Sequence, residues 1–222
     1  MTTDQKQTEG QIILAIDREF GSGGREIADL LGHYFGLPVY EKNILQNLGI
    51  RHQKDVEDLY YRDESPRWKF ASRTVKGLTN SNEYALAAME FDFLRKIASE
   101  GKSFIVLGHC AEEVLAEYPS LVTLFISADE AFKIPRIMKE HDVDREEAYA
   151  KMKRHNRKRK TYHNSYCEHK WGDARNYDMT IRSDKMGPFE TAKFLVDYLE
   201  ARIPEIKNRE RAEELVPLPE KK

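Results

Sequence analysis

The stretch DREFGSGGRE, Asp17–Glu26, limits what this chain can fold into more than any other. It follows the apolar run Ile12-Ile13-Leu14-Ala15-Ile16, brief and β-rich, as a strand buried on both faces of a parallel sheet should be. Beyond it Ile27, Leu30, Leu31, Tyr34 and Phe35 recur at helical spacing until Gly36 and Pro38 stop the helix. A glycine run between strand and helix gathers backbone N–H groups and a helix N-terminus at one point. Both attract anions, and phosphate is the usual guest. A plain turn needs one or two glycines. Arg18–Arg25 holds three, with a serine and two arginines.

The pattern of a phosphate loop is G-x-x-x-x-G-K-[ST]. Laid over Arg18–Arg25, it finds arginine at the first glycine, Gly23 at the second, Gly24 at the lysine and Arg25 at the hydroxyl position. The dinucleotide fingerprint G-x-G-x-x-G accepts Gly21 and Gly23 but meets Glu26 at its third glycine, although Glu41 lies at a tempting distance for a ribose contact. The phosphate-loop reading ranks first, with another cation standing in for the lysine. Arg25 offers a permanently charged fork in the first helical turn, and Arg18 offers one from the loop's other side. The predicted phosphate-binding set is Arg18, Gly21, Ser22, Gly23, Gly24, Arg25 and Glu26, with Arg25 as a catalytic cation. A guanidinium only donates, so Ser22 and Asp17 are the nearest oxygen ligands for a metal. A turn-forming carboxylate is the other reading of Asp17. Glu19 and Glu26 are expected to pair with neighbouring arginines.

Further along, Val39-Tyr40 reads as a short strand, and Ile44, Leu45 and Leu48 as a short helix ended by Gly49. Residues 51–80 are polar, with Tyr60, Tyr61, Trp68 and Phe70 but no clean period. A long helix is predicted from Asn82 to Gly101. SFIVLG and LVTLFIS read as buried strands with a helix through Val114 and Leu115 between them. Residues 129–160 are helical by composition, with a kink at Pro135 and a capping-box start at Asp144 and Glu147. YDMTIRS and GPFETAKFLVDYLEA give a last strand and helix, and residues 203–222 a short helix with a frayed end. This alternation predicts an α/β fold around a central parallel sheet.

The block KMKRHNRKRK, Lys151–Lys160, carries none of the acids normally interspersed on a solvated helix face, so that reading ranks second. Its favoured reading is a lid that closes over a transferring phosphate, with Arg154 and Arg157 as catalytic residues and Arg159 beside them. A net charge of −2 argues against a general nucleic-acid binder. His163, Cys167 and His169 invite a zinc reading, but their spacing matches no common site and no fourth ligand is evident. A polar loop packed by Trp171 and Tyr177 is preferred. Two cysteines, Cys110 and Cys167, are too few for a disulfide framework, which makes a reducing cytoplasm the default. The apolar runs are too short for a membrane span, and the polar N-terminus resembles no targeting segment.

The segments REFGSGGREIA, SFIVLGHCAEEVL and WGDARNYDMTIRSDKMG, in that order, resemble the cytidylate kinase-like family over about Ile12 to Leu199. The resemblance implies a single P-loop NTPase-like domain: a parallel sheet flanked by helices, a helical acceptor-binding insert near 51–80 and a basic lid near 142–176. It implies ATP-dependent phosphoryl transfer with Mg2+ to a nucleoside monophosphate, cytidylate being the first candidate. The loop without lysine is the family's own. His109 stands where the family's arginine is expected, so the acceptor contacts implied are His109 and Arg73, with Arg62, Arg67 and Lys69 as further candidates. Asp178 and Ser183 would lie on the base side. A monophosphate acceptor brings an oxygen that is already ionised, so no general base is required. Two rivals stay open: a weakly active or inactive nucleotide sensor of the same fold, and a nucleic-acid-binding module. No membrane partner is expected, and a second copy of the chain is a candidate partner.

Overall fold

The strand before the glycine loop is buried at every position, so helices must cover the sheet on both faces. The computed structural model describes residues 10–41, 44, 81–208, 212 and 214–218. The strands are β1 (Ile13–Arg18), β2 (Val39–Tyr40), β3 (Phe104–Leu107), β4 (Leu121–Ser127) and β5 (Met179–Arg182). All are parallel, in the order β2-β3-β1-β4-β5. β1 sits at the centre, with Ile13 opposite Phe104 on one side and Leu121 on the other.

Alternation along β1 then divides the core. Ile12, Leu14 and Ile16 join Ile27, Leu30, Leu31 and Phe35 of α1 (Gly24–Phe35), with Leu195 and Leu199 of α6 (Gly187–Arg202). Ile13 and Ala15 face Leu94 and Ile97 of α2 (Ser81–Ser99), and Ala111 and Val114 of α3 (Ala111–Val114). Each fully buried large side chain here, such as Phe35 or Phe104, stabilises the fold by about 1.5–3 kcal/mol. β2 and β5 are the edge strands, and β5 alternates half-buried and exposed.

Gly36 ends α1 as expected, in the left-handed conformation (φ 63°), its N–H donating to the Gly32 carbonyl. The residues expected to be helical, 129–160, form α4 (Glu130–His141) and α5 (Arg145–Tyr166). Pro135 removes one N–H early in α4, which continues to His141; left-handed Asp142 (φ 51°) then ends it. Asp144 does cap α5, accepting the Glu147 N–H at 2.8 Å, but the helix runs beyond Lys160 to Tyr166. The tail is not frayed at its described residues. A 3-10 turn spans Pro204–Asn208, the Ala212 N–H donates to the Tyr34 carbonyl at 3.0 Å, and Ala212, Leu215 and Leu218 pack on the core.

The expected insert at 51–80, with Arg62, Arg67, Lys69 and Arg73, lies outside the described residues, as does the expected helix around Leu45 and Leu48. Among the described residues no helix is long and apolar enough to cross a membrane.

Candidate phosphate-binding site

β1 delivers Asp17 and Arg18 to its C-terminal end, and α1 opens at Gly24. Gly23 is the N-cap, at φ 79°, and a Cβ there would stand 2.6 Å from Pro188 Cγ; left-handed backbone and close packing both demand glycine. The amides of Gly23, Gly24, Arg25 and Glu26 donate to no described residue, and the first helical bond is Ile27 N–H to the Gly23 carbonyl at 2.9 Å. These are the orphan donors of a helix start, with no side chain capping them.

Gly24 explains the absent lysine. A Cβ on it would lie 2.6 Å from Arg18 Cβ and 2.9 Å from Arg18 Cγ. Any side chain at the pattern's lysine position would collide with the side chain at the pattern's first glycine. The two departures from the motif are therefore one exchange: the cation has moved to residue 18 and the gap to residue 24. Arg18 is 7% exposed, and its guanidinium pairs with Glu41. Its Nε is buried with no hydrogen-bond partner among the described residues.

Arg25 lies half-exposed on the flank. It bonds Asp29 at 2.9 Å and Glu41 at 2.6 Å. Partial burial works against its charge, but Asp29 and Glu41 outweigh it and raise the guanidinium pKa. Burial likewise pushes Glu41 up, yet Arg18 and Arg25 together hold it below the usual carboxylate value. Glu41, a ribose candidate by spacing, is thus the shared counter-ion of both loop arginines. Glu26 and Glu19 do not pair with neighbours in sequence, as expected, but with α4: Glu26 with Arg136 at 2.7 Å, Glu19 with Lys133 at 2.6 Å. Helix α4 packs beside the loop, with Ile137 and Lys133 against Gly21, and so brings its bases to these carboxylates.

Ser22 is fully buried; its hydroxyl donates to the Glu19 carbonyl at 2.8 Å and keeps its lone pairs. Gly21 is equally confined, since a Cβ there would touch Ile137 at 2.9 Å. The Asp17 carboxylate accepts from Tyr177 Oη at 3.0 Å. Burial first, and Glu112 second, raise the Asp17 pKa against the pull of Arg18 and His163.

Helix α5 covers this loop. Asn156 Oδ1 accepts the Phe20 N–H at 2.7 Å, the Phe20 ring stacks on His155 at 4.2 Å, and Arg159 donates to the Arg18 carbonyl at 2.9 Å. Burial, then the charge of Arg18, lower the Arg159 pKa to about 10. The arginine of the basic block that touches the loop is therefore Arg159. Arg154 and Arg157, predicted as catalytic, are exposed and their side chains make no hydrogen bond or ion pair with a described residue.

His109, left-handed at φ 58°, follows β3 with both ring nitrogens engaged: Nδ1 with Glu90 at 2.9 Å, Nε2 with the Glu41 carbonyl at 3.0 Å. Asp178 and Ser183 are committed to the framework. Asp178 accepts the Thr123 N–H at 2.8 Å, and the Ser183 hydroxyl donates to the Ser22 carbonyl. Trp171 and Tyr177 pack on Phe125, as preferred from sequence, and Asp173 caps the 3-10 turn Ala174–Asn176.

A parallel five-stranded sheet with a glycine loop between its central strand and first helix defines an α/β fold of the phosphate-loop type. The chain belongs to the cytidylate kinase-like family, whose model matches residues 13–185. It is similar to an uncharacterized protein from Eubacterium ventriosum ATCC 27560, at 35% identity over 86% of this chain and 99% of that one, with a TM-score of 0.70. A shikimate kinase from Bacteroides thetaiotaomicron matches at 11% identity over 85% of this chain and 98% of that one, TM-score 0.49. No curated protein matches the chain.

Proposed function

We propose that this protein transfers the γ-phosphoryl group of ATP to a nucleoside monophosphate, with cytidylate the first candidate. The observation that carries the reading is the set of four undirected amides, Gly23–Glu26, beside the buried Arg18, whose Cβ and Cγ fill the space that a side chain at residue 24 would need. Amides at a helix start bind phosphate oxygens, and a guanidinium neutralises their charge bidentately. Arg25 completes the positive rim.

Phosphoryl transfer asks mainly for positioning and charge stabilisation. The amides hold the donor phosphates, Arg18 and Arg25 hold the equatorial oxygens, and α5 keeps water from the loop with Phe20, Asn156 and Arg159. Arg154 and Arg157 reach the transferring group when the acceptor arrives, and His109 and Arg73 contact the acceptor. The oxygen donors Asp17 and Ser22 suit a hard cation, and they would hold the Mg2+ that accompanies ATP and neutralises its phosphates. Two free thiols fit a cytoplasmic setting.

A coupled assay of ADP release with a panel of monophosphates tests this reading, and turnover restricted to one or two pyrimidine monophosphates is expected. One observation favours a second reading, a nucleotide sensor: Glu41 ties down both loop arginines. ATP binding without turnover on any monophosphate would select it.

A further inference from the structure

The carboxylate missing from the sequence-level zinc reading comes from α3. Glu112 Oε1 lies 2.6 Å from His163 Nε2 and 3.7 Å from Cys167 Sγ, and all three donor atoms fall within 4.8 Å of one another. His163 and Cys167 are one helical turn apart at the end of α5, so their side chains share a face. Glu112 and His163 are 8% and 4% exposed at the side chain. We propose that Glu112, His163 and Cys167 bind a zinc ion that fastens the C-terminal end of α5 to α3.

The chemistry suits that ion. Imidazole, thiolate and carboxylate are the three donor types of protein zinc sites, and thiolate with carboxylate cancels the ion's two charges. Bond lengths of about 2.0–2.3 Å on a tetrahedron put ligand atoms roughly 3.3–3.7 Å apart. The sulfur–carboxylate separation already matches, and the histidine–carboxylate pair has to part by about 1 Å.

The support around the ligands is in place. His163 Nδ1 faces Asn164 Oδ1 at 3.4 Å, leaving Nε2 for the metal, and that same oxygen accepts the Trp171 N–H at 3.0 Å. Glu113 accepts the Glu168 N–H at 3.0 Å, clamping the turn after Cys167 onto α3. His169, part of the sequence-level trio, is not in the cluster. The site does not depend on phosphoryl transfer: it anchors the C-terminal end of the helix whose middle covers the loop.

The full chain, stripped with a chelator under reducing conditions, is titrated with cobalt(II) and then zinc. Stoichiometric cobalt with a thiolate charge-transfer band, displaced by zinc, and a zinc-dependent rise in Tm are expected. Cys167→Ser should abolish the band, and Glu112→Gln, which keeps the side-chain volume, should weaken zinc by more than the roughly hundredfold typical of losing a supporting group. Far-UV circular dichroism identifies any variant that fails to fold, and Glu112→Gln then decides alone. Weak cobalt without the band, a band that survives Cys167→Ser, or zinc affinity unchanged in Glu112→Gln overturns the proposal.

Discussion

Swapping the two loop residues back, Arg18→Gly with Gly24→Lys, tests whether they are one exchange. Gly24→Lys alone forces a Cβ to 2.6 Å from Arg18 Cβ, an atom fixed to the central strand that cannot swing aside. Overpacking of this kind costs about 1–3 kcal/mol. Arg18→Gly alone removes a guanidinium that is 8% exposed and leaves its partner Glu41 to Arg25. Breaking a buried pair costs about 3–5 kcal/mol, and the surviving Arg25 keeps this case near the lower end. In the double variant the glycine at 18 makes room for the lysine, which restores the cation. The coupling should therefore relieve the sum of the single costs by at least about 1 kcal/mol. Urea unfolding of the four proteins measures it, and calorimetric titration with Mg-ATP should show affinity lost in each single variant and partly regained in the double. Additivity to within about 0.5 kcal/mol would refute the exchange.

Arg25→Ala should weaken ATP by at least about tenfold, or 1.4 kcal/mol, in the same titration; an unchanged dissociation constant would leave Arg18 as the sole loop cation. Glu41 has a folded pKa below its unfolded value, so its contribution to stability is present above that value and lost as pH falls through the lowered one. The difference in urea midpoint between the wild type and Arg18→Gly should accordingly be largest at neutral pH and shrink as pH falls through the lowered Glu41 pKa. Arg159→Ala should lower Tm and expose the loop to proteolysis, whereas Arg154→Ala and Arg157→Ala should change stability by no more than about 0.5 kcal/mol and reduce kcat.

What the sequence disclosed was local. The run Ile12–Ile16, the helical period of Ile27–Phe35 and the stop at Gly36 each carry their own signal, and the parallel sheet follows from such units in series. The exchange of Arg18 with Gly24 could not be read the same way. It depends on a strand-end Cβ pointing at the Cα of a residue across the turn, a relation that neither spacing nor composition encodes. Glu41 is another case: its distance along the chain suits a ribose contact, and only the placement of β2 beside β3 brings it to both arginines. Arg154 and Arg157 were favoured over Arg159 by helical spacing alone, which cannot tell which face α5 turns toward Phe20. Glu112 escaped notice as a partner of His163 because the two are distant in sequence.

The account rests on the amides that open α1 receiving phosphate. Backbone NMR of the 15N-labelled chain during titration with Mg2+ and a non-hydrolysable ATP analogue reads those groups directly. The N–H resonances of Gly23, Gly24, Arg25 and Glu26 should shift downfield together, along with the Arg18 Nε–H. Saturating ATP analogue that moves other resonances and leaves these five in place would contradict it.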